Sequence, residues 1–164
     1  MYKINGADSN SNTGTTKEQL MITKDLCQNA SDVRKNWSTT IDTVVHDRPA
    51  FINRTHDYVA MLNSQLLVDM LRDYKYHVTL ETEDDGSVTG YVNDLQLVEN
   101  APSREECIKA VANGMKDYAV DYYAEFNYWS KAPNRVSHIP YVIKLLVSTD
   151  DMIYKDIVCL DGKN

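Results

Sequence analysis

This chain lacks any run of the roughly 18–20 apolar residues that a membrane-spanning helix needs, so nothing in it reads as a bilayer span. Met1 to Thr16 is polar and holds no hydrophobic signal region, which predicts a cytoplasmic protein with no membrane partner. Cysteine is scarce: Cys27, Cys107 and Cys159 are odd in number, far apart and without metal-ligand spacing. That pattern speaks against a disulfide frame or a zinc site and predicts buried, reduced thiols. His46, His56, His77 and His138 are scattered, and none stands at ligand spacing from a cysteine or carboxylate, so neither a metal nor a histidine general base is expected. Glu81, Glu83, Asp84 and Asp85 do not form a two-metal nuclease cluster on sequence grounds. Alternate strand positions face opposite ways, and the Asp pair falls in a turn. No catalytic residue, metal or cofactor is therefore expected, and no internal repeat is present.

The 164 residues, 43% hydrophobic and 25% charged, suit a globular protein with one large core or two small ones, and two fit the pattern better. Residues 1–20, rich in Asn, Ser, Thr and Gly up to Gln19, read as a flexible leader. The net charge of −7 is unevenly spread. Residues 18–56 balance Lys24, Arg34, Lys35, Arg48 and Arg54 against five acidic groups, whereas residues 76–130 set Arg104, Lys109 and Lys116 against eleven. A phosphate-rich partner thus suits only the first segment, and the second should repel nucleic acid and attract a basic protein.

Residues 31–71 spell helix, hairpin, helix. Ser31 is placed to cap a helix whose apolar stripe, Val33, Trp37, Ile41, Val44 and Val45, recurs at three- and four-residue steps over about four turns. Arg34, Lys35 and Ser38 fall off that stripe. Ala50 to Asn53 and Tyr58 to Asn63 are β-prone runs around Arg54-Thr55-His56-Asp57, which suits a tight hairpin. Ser64 then caps a second apolar helix reaching about Arg72.

The order of these pieces resembles the Phd/YefM family of antitoxins from bacterial toxin–antitoxin pairs. The family shows a short strand, here Met21 to Leu26, and a helix with a serine start and an arginine three residues on, here Ser31 and Arg34. A basic-Asn-apolar-Ser centre follows, here Lys35-Asn36-Trp37-Ser38, then a hydrophobic tail, Ile41 to Val45. A proline-led strand and an Ile-x-Arg hairpin close the pattern, here Pro49 and Ile52-Asn53-Arg54. Trp37 stands where leucine or phenylalanine is usual, and the hairpin tip lacks the frequent glycine. Met21 sits where chains of this family begin, which makes it a candidate start. The resemblance implies a dimerisation module over residues 21–75 that binds operator DNA, with Arg34 on base edges or phosphates and Lys35, Arg54 and Lys24 as further contacts. Asn36 is a candidate for holding the helix to the hairpin.

The second half is a different module. Tyr76 to Thr82 alternates, Asp84-Asp85-Gly86-Ser87 supplies a turn, and Val88 to Val92 alternates again. A third strand, Leu95 to Glu99, precedes a helix begun at Pro102-Ser103 with Cys107, Ile108, Val111, Met115, Tyr118 and Ala119 in one stripe. This β-β-β-α order over residues 76–130, with Asp85-Gly86, Gly90-Tyr91, Asp94-Leu95 and Ser103-Arg104-Glu105-Glu106, resembles the HicB family of antitoxins. The family's proline before Asp-Leu is Asn93 here, and its glycine-cysteine turn is Gln96-Leu97. That resemblance implies a partial RNase H-like fold that covers a toxin without catalysing. The group Tyr118, Tyr122, Tyr123, Tyr128 and Trp129 is expected in core or toxin contact rather than stacked on RNA, given the surrounding acid.

In residues 131–164, Pro140 fits the first turn of a helix over Tyr141 to Val147, and Thr149 or Asp150 can cap a second running from Asp151 to about Cys159 and stopped by Gly162. The two would form a C-terminal helical hairpin whose apolar faces need a partner surface. The overall expectation is an α+β protein. Its resemblances imply an antitoxin that represses its own operon as a homodimer or higher homo-oligomer and holds a basic mRNA-cleaving toxin of RelE-like or HicA-like type. The alternative is a toxin-independent DNA-binding regulator or scaffold with a C-terminal sensor or oligomerisation module.

Overall fold

A computed structural model describes residues 26–161. The chain divides into two compact units between Asn63 and Ser64. Both are mixed α+β, each with its own sheet. No helix among the described residues is long and apolar enough to cross a membrane.

In the first unit, β1 (Cys27–Asn29) runs parallel to β2 (Ala50–Arg54), and β2 pairs antiparallel with β3 (Asp57–Met61) in the register Ile52↔Val59. Of the strand expected over Met21 to Leu26, all but Leu26 lies outside the described residues. The expected long helix is two helices, α1 (Ala30–Lys35) and α2 (Trp37–His46). Asn36 makes the break. Its backbone leaves the helical region at φ −113°, ψ 35°, which ends α1; its Nδ2 adds a bond to the Asp32 carbonyl at 3.1 Å beside that of its backbone N, and its own carbonyl accepts from Thr40 N and Oγ1. This local bonding is what Asn36 does, in place of a tie to the hairpin. Ser31 is not the cap either: Asn29 holds that position without a side-chain bond, and Ser31 lies inside α1.

The break turns the stripe. Trp37 is 55% exposed and Val45 is exposed, while Val33, Thr40, Val44, Ala50 and Ile52 are buried. Thr40 is tolerated inside because the Asn36 carbonyl satisfies its hydroxyl. The hairpin forms with Thr55 at φ 59°, a left-handed conformation that glycine would adopt without strain. Asn63 Nδ2 donates to the Val44 and Val45 carbonyls, fastening the end of α2 beyond β3.

The second unit opens with α3 (Ser64–Met70), which packs on a later helix of that unit, whereas the sequence pattern carried the first module to residue 75. Then come β4 (Tyr76–Thr82), β5 (Val88–Val92) and β6 (Leu97–Ala101). In the β4–β5 turn Gly86 has φ 86°, and Asp85 Oδ1 accepts from Ser87 N at 2.9 Å. β6 starts two residues later than expected. Leu95 is drawn into the core from the β5–β6 turn, and Gln96 takes φ 56° to allow it.

Helix α4 (Arg104–Ala124) starts on a Ser103 N-cap, with Glu106 N donating to Ser103 Oγ and Ser103 Oγ to Glu106 Oε2. Its stripe of Cys107, Val111, Met115, Ala119 and Tyr122 is fully buried against the sheet. A short α5 (Phe126–Trp129), a 3₁₀ turn (Val136–His138), α6 (Ile139–Val147) and α7 (Asp150–Asp156) follow. Thr149 caps α7, accepting from Met152 N.

The expected C-terminal helical hairpin is corrected here. Helix α7 ends at Asp156, and β7 (Ile157–Asp161) adds to the sheet in the order β6-β5-β4-β7, parallel to β4 with Tyr76↔Ile157. The β-branched pair Ile157-Val158 suits that pairing. Gly162, the expected helix stop, lies outside the described residues. Cys159 is consequently exposed on this edge strand and Cys27 is half-buried, so only Cys107 is the buried thiol expected of all three.

At Gly90 β5 comes close to α4: a Cβ there would stand 2.9 Å from Cys107 Sγ and 3.0 Å from Val111 Cγ2. Gly90→Ala is expected to destabilise the second unit by about 1–3 kcal/mol through overpacking. Adding Cys107→Ala should restore part of that loss in urea titrations. A neutral Gly90→Ala would show that α4 can shift outward without cost.

Candidate functional site

Two cations of the first unit, Arg34 and Arg54, share one concavity. Arg34 and Lys35 lie in the last turn of α1, and Arg54 ends β2. Ala30, Ser31, Arg34 and Arg54 line one shallow concavity of about 430 Å³. Parallel pairing of β1 with β2, with Asn29 opposite Asn53, brings Arg54 beside the start of α1, which the sequence alone did not join. Arg34, Lys35 and Arg54 are exposed, and with the described residues they form no ion pair. Lys24 lies outside the described residues.

The carboxylates of the second unit are structural or solvated. Glu83 Oε1 accepts from Thr89 Oγ1 at 2.5 Å, and Asp85 closes its own turn, which holds its carboxyl below the usual range through the bonds from Ser87. Among the described residues, no group of three His, Cys, Asp or Glu is placed to hold a metal. Asp94 is a hub: Oδ2 accepts from His77 N at 2.7 Å, and Oδ1 from the Tyr141 hydroxyl at 3.1 Å, linking β4 to α6. Burial, and then donation to that carboxylate, push the Tyr141 hydroxyl up to about 12.

Of the aromatic group, Tyr122 is buried and Tyr118 and Trp129 are half-buried, while Tyr123 and Tyr128 stand exposed. The Tyr118 hydroxyl meets His138 Nδ1 at 2.7 Å, and Arg135 lies over the Tyr118 ring. His138 is fully buried, and burial, with Arg135 nearby, lowers its pKa against the raising influence of Asp94. The folded state therefore binds this proton less readily than the unfolded chain, whose histidine titrates near 6.5. Stability should fall as pH drops through about 6.5 toward the lower folded value, and should not change from this source above it. Urea titrations at several pH values between 5 and 8 are expected to show that slope, and His138→Asn should flatten it.

Over residues 25–159 the chain matches the family described as PHD-like, antitoxin of toxin–antitoxin, RelE/RelB, TA system. A solved structure described as the antitoxin part of a candidate toxin/antitoxin system from Syntrophomonas wolfei subsp. wolfei resembles it at a TM-score of 0.77 and 36% identity. That similarity covers 82% of this chain and 97% of the other. No curated protein matches.

Proposed function

Because the chain belongs to this family of antitoxins of toxin–antitoxin systems, we propose that its first unit binds operator DNA as a homodimer while its acidic second unit neutralises a basic toxin. The observation that carries the DNA reading is the concavity shared by Arg34 and Arg54, two guanidinium groups that form no ion pair among the described residues, with the exposed Lys35 next to Arg34 in the chain. Guanidinium is suited to base edges and phosphates alike. Five buried residues among residues 26–63, with Trp37, Val45, Phe51 and Val59 exposed, are a small core for a module standing alone, which supports pairing with a second copy.

We read the first unit as Phd/YefM-like and the second as HicB-like, the latter supported by its β-β-β-α order and the turn at Asp85-Gly86. The toxin is then an mRNA-cleaving protein of RelE-like or HicA-like type. The test is a footprint of the purified chain on DNA upstream of its own gene at two salt concentrations. Protection of a short palindrome, weakening steeply as salt rises, is the expected result. No protection at low salt would remove the repressor reading.

A further inference from the structure

Within the second unit, the described residues cover one face of the four-stranded sheet. Tyr76, Val78 and Leu80 of β4 and Val88 and Val92 of β5 point into the core. The alternate residues form the other face. Across it the register places Val98, Tyr91, Thr79 and Leu160 in one continuous row spanning β6, β5, β4 and β7, with Val158 opposite His77 beside it. Val98 is 57% exposed, Leu160 42% and Tyr91 36%, so this row is an open strip, apolar but for Thr79.

The polar groups in this row and beside it already bond one another. Asn93 Nδ2 donates to Thr79 Oγ1, Asn100 Nδ2 to Thr89 Oγ1 and Ser87 Oγ, and Thr89 Oγ1 to Glu83. The polar side chains of this face are thus ordered before any partner arrives, which lowers the entropic cost of binding.

Its charge has one sign. Residues 76–101 and 157–161, which make up the sheet and its turns, contain no lysine or arginine and seven carboxylates. Glu81 stands on the open face itself, with Glu83, Asp84 and Asp85 at the end of β4 and in its turn.

We infer that this open face is where the second unit docks a basic protein, through the apolar row at the centre and the acidic rim at the β4–β5 end. The inference rests on the antitoxin reading for the identity of that protein as the toxin. Two other occupants fit less well. A second copy of the face would set like charges against one another, and residues 1–25 carry three basic and three acidic groups, so they offer no net complement.

The full chain, co-expressed with the product of the gene adjacent to its own, tests this by titration of the purified pair. Val98→Lys with Leu160→Lys, and separately Glu81→Lys with Asp84→Lys, are expected to weaken binding at least about tenfold, the second pair mainly through a slower, less salt-sensitive association. Asp117→Lys with Asp121→Lys, on the exposed side of α4, should change it less than about twofold, since rim charges away from a contact contribute little. Unchanged melting curves would show that the variants fold.

Tight binding by wild type that both face variants retain would overturn the inference and leave the antitoxin reading standing. No binding by wild type would remove the toxin-binding reading and the inference together. Self-association of wild type that the Val98→Lys, Leu160→Lys variant abolishes would make a second copy the occupant, and would overturn the inference too.

Discussion

Replacing Lys144 by alanine is expected to cost the second unit about 3–5 kcal/mol, a large share of the stability an ordinary domain has. The side chain is 1% exposed although it ends in an ammonium group. Its Nζ donates to the Tyr74 carbonyl at 2.7 Å, meets Asp156 Oδ2 at 2.6 Å and lies 5.7 Å from the centre of the Tyr76 ring. Lys75 bonds the other oxygen of Asp156. Burial alone would raise the Asp156 carboxyl, but the hydrogen bonds from Lys144 and Lys75 more than offset it and hold it below its ordinary range.

Truncation of Lys144 leaves the Tyr74 carbonyl without its donor, Asp156 with one cation, and a cavity in α6. A carboxyl with a depressed pKa contributes stability above its unfolded value, near 3.9, and that contribution is lost as pH falls through the folded value. The deficit of the Lys144→Ala chain should therefore shrink in acid, where the wild type itself loses the contribution of the pair. Trp129 in the second unit, read by fluorescence in a Trp37→Phe background, reports this unfolding alone, because the chain holds two tryptophans. A cost below about 1 kcal/mol would mean that water reaches the pair, as at a surface ion pair.

Arg34→Ala is expected to weaken operator binding by about 1–3 kcal/mol for each half-site, with the melting temperature unchanged because the side chain is exposed. Arg34→Lys separates two modes of contact. A lysine keeps the charge and loses the bidentate fork, so a base-reading Arg34 would leave that variant almost as weak as alanine and less selective. A phosphate-contacting Arg34 would leave it near wild type, with alanine lowering the salt slope by about one unit. Lys35→Ala should weaken binding more modestly and evenly across sequences. A large fall in melting temperature for Arg34→Ala would make the side chain structural and end the DNA assignment.

Local patterns carried much of the architecture. The alternation of Tyr76 to Thr82 and Val88 to Val92 around Asp85-Gly86 is the hairpin observed, and the stripe from Cys107 to Ala119 is the buried face of α4. These signals need only neighbours within a turn or a strand. The break at Asn36 was written in residue types already present, since an asparagine that can reach the carbonyl four residues back competes with the helix ladder. The apolar spacing on either side of it masked that signal.

By itself the sequence determined the helix and hairpin periods, the polarity of the two halves and the cations of the first half, because each follows from composition or from residues a few positions apart. Only the tertiary structure decided that Ile157 to Asp161 is a strand, that Lys144 in an apolar helix is paired, and that Arg34 and Arg54 share one concavity. Those outcomes depend on groups far apart in the chain, such as Tyr76 with Ile157 and Tyr74 with Lys144. Local propensity is silent on such pairings; they form only when the whole sheet and its covering helices bury their surface together.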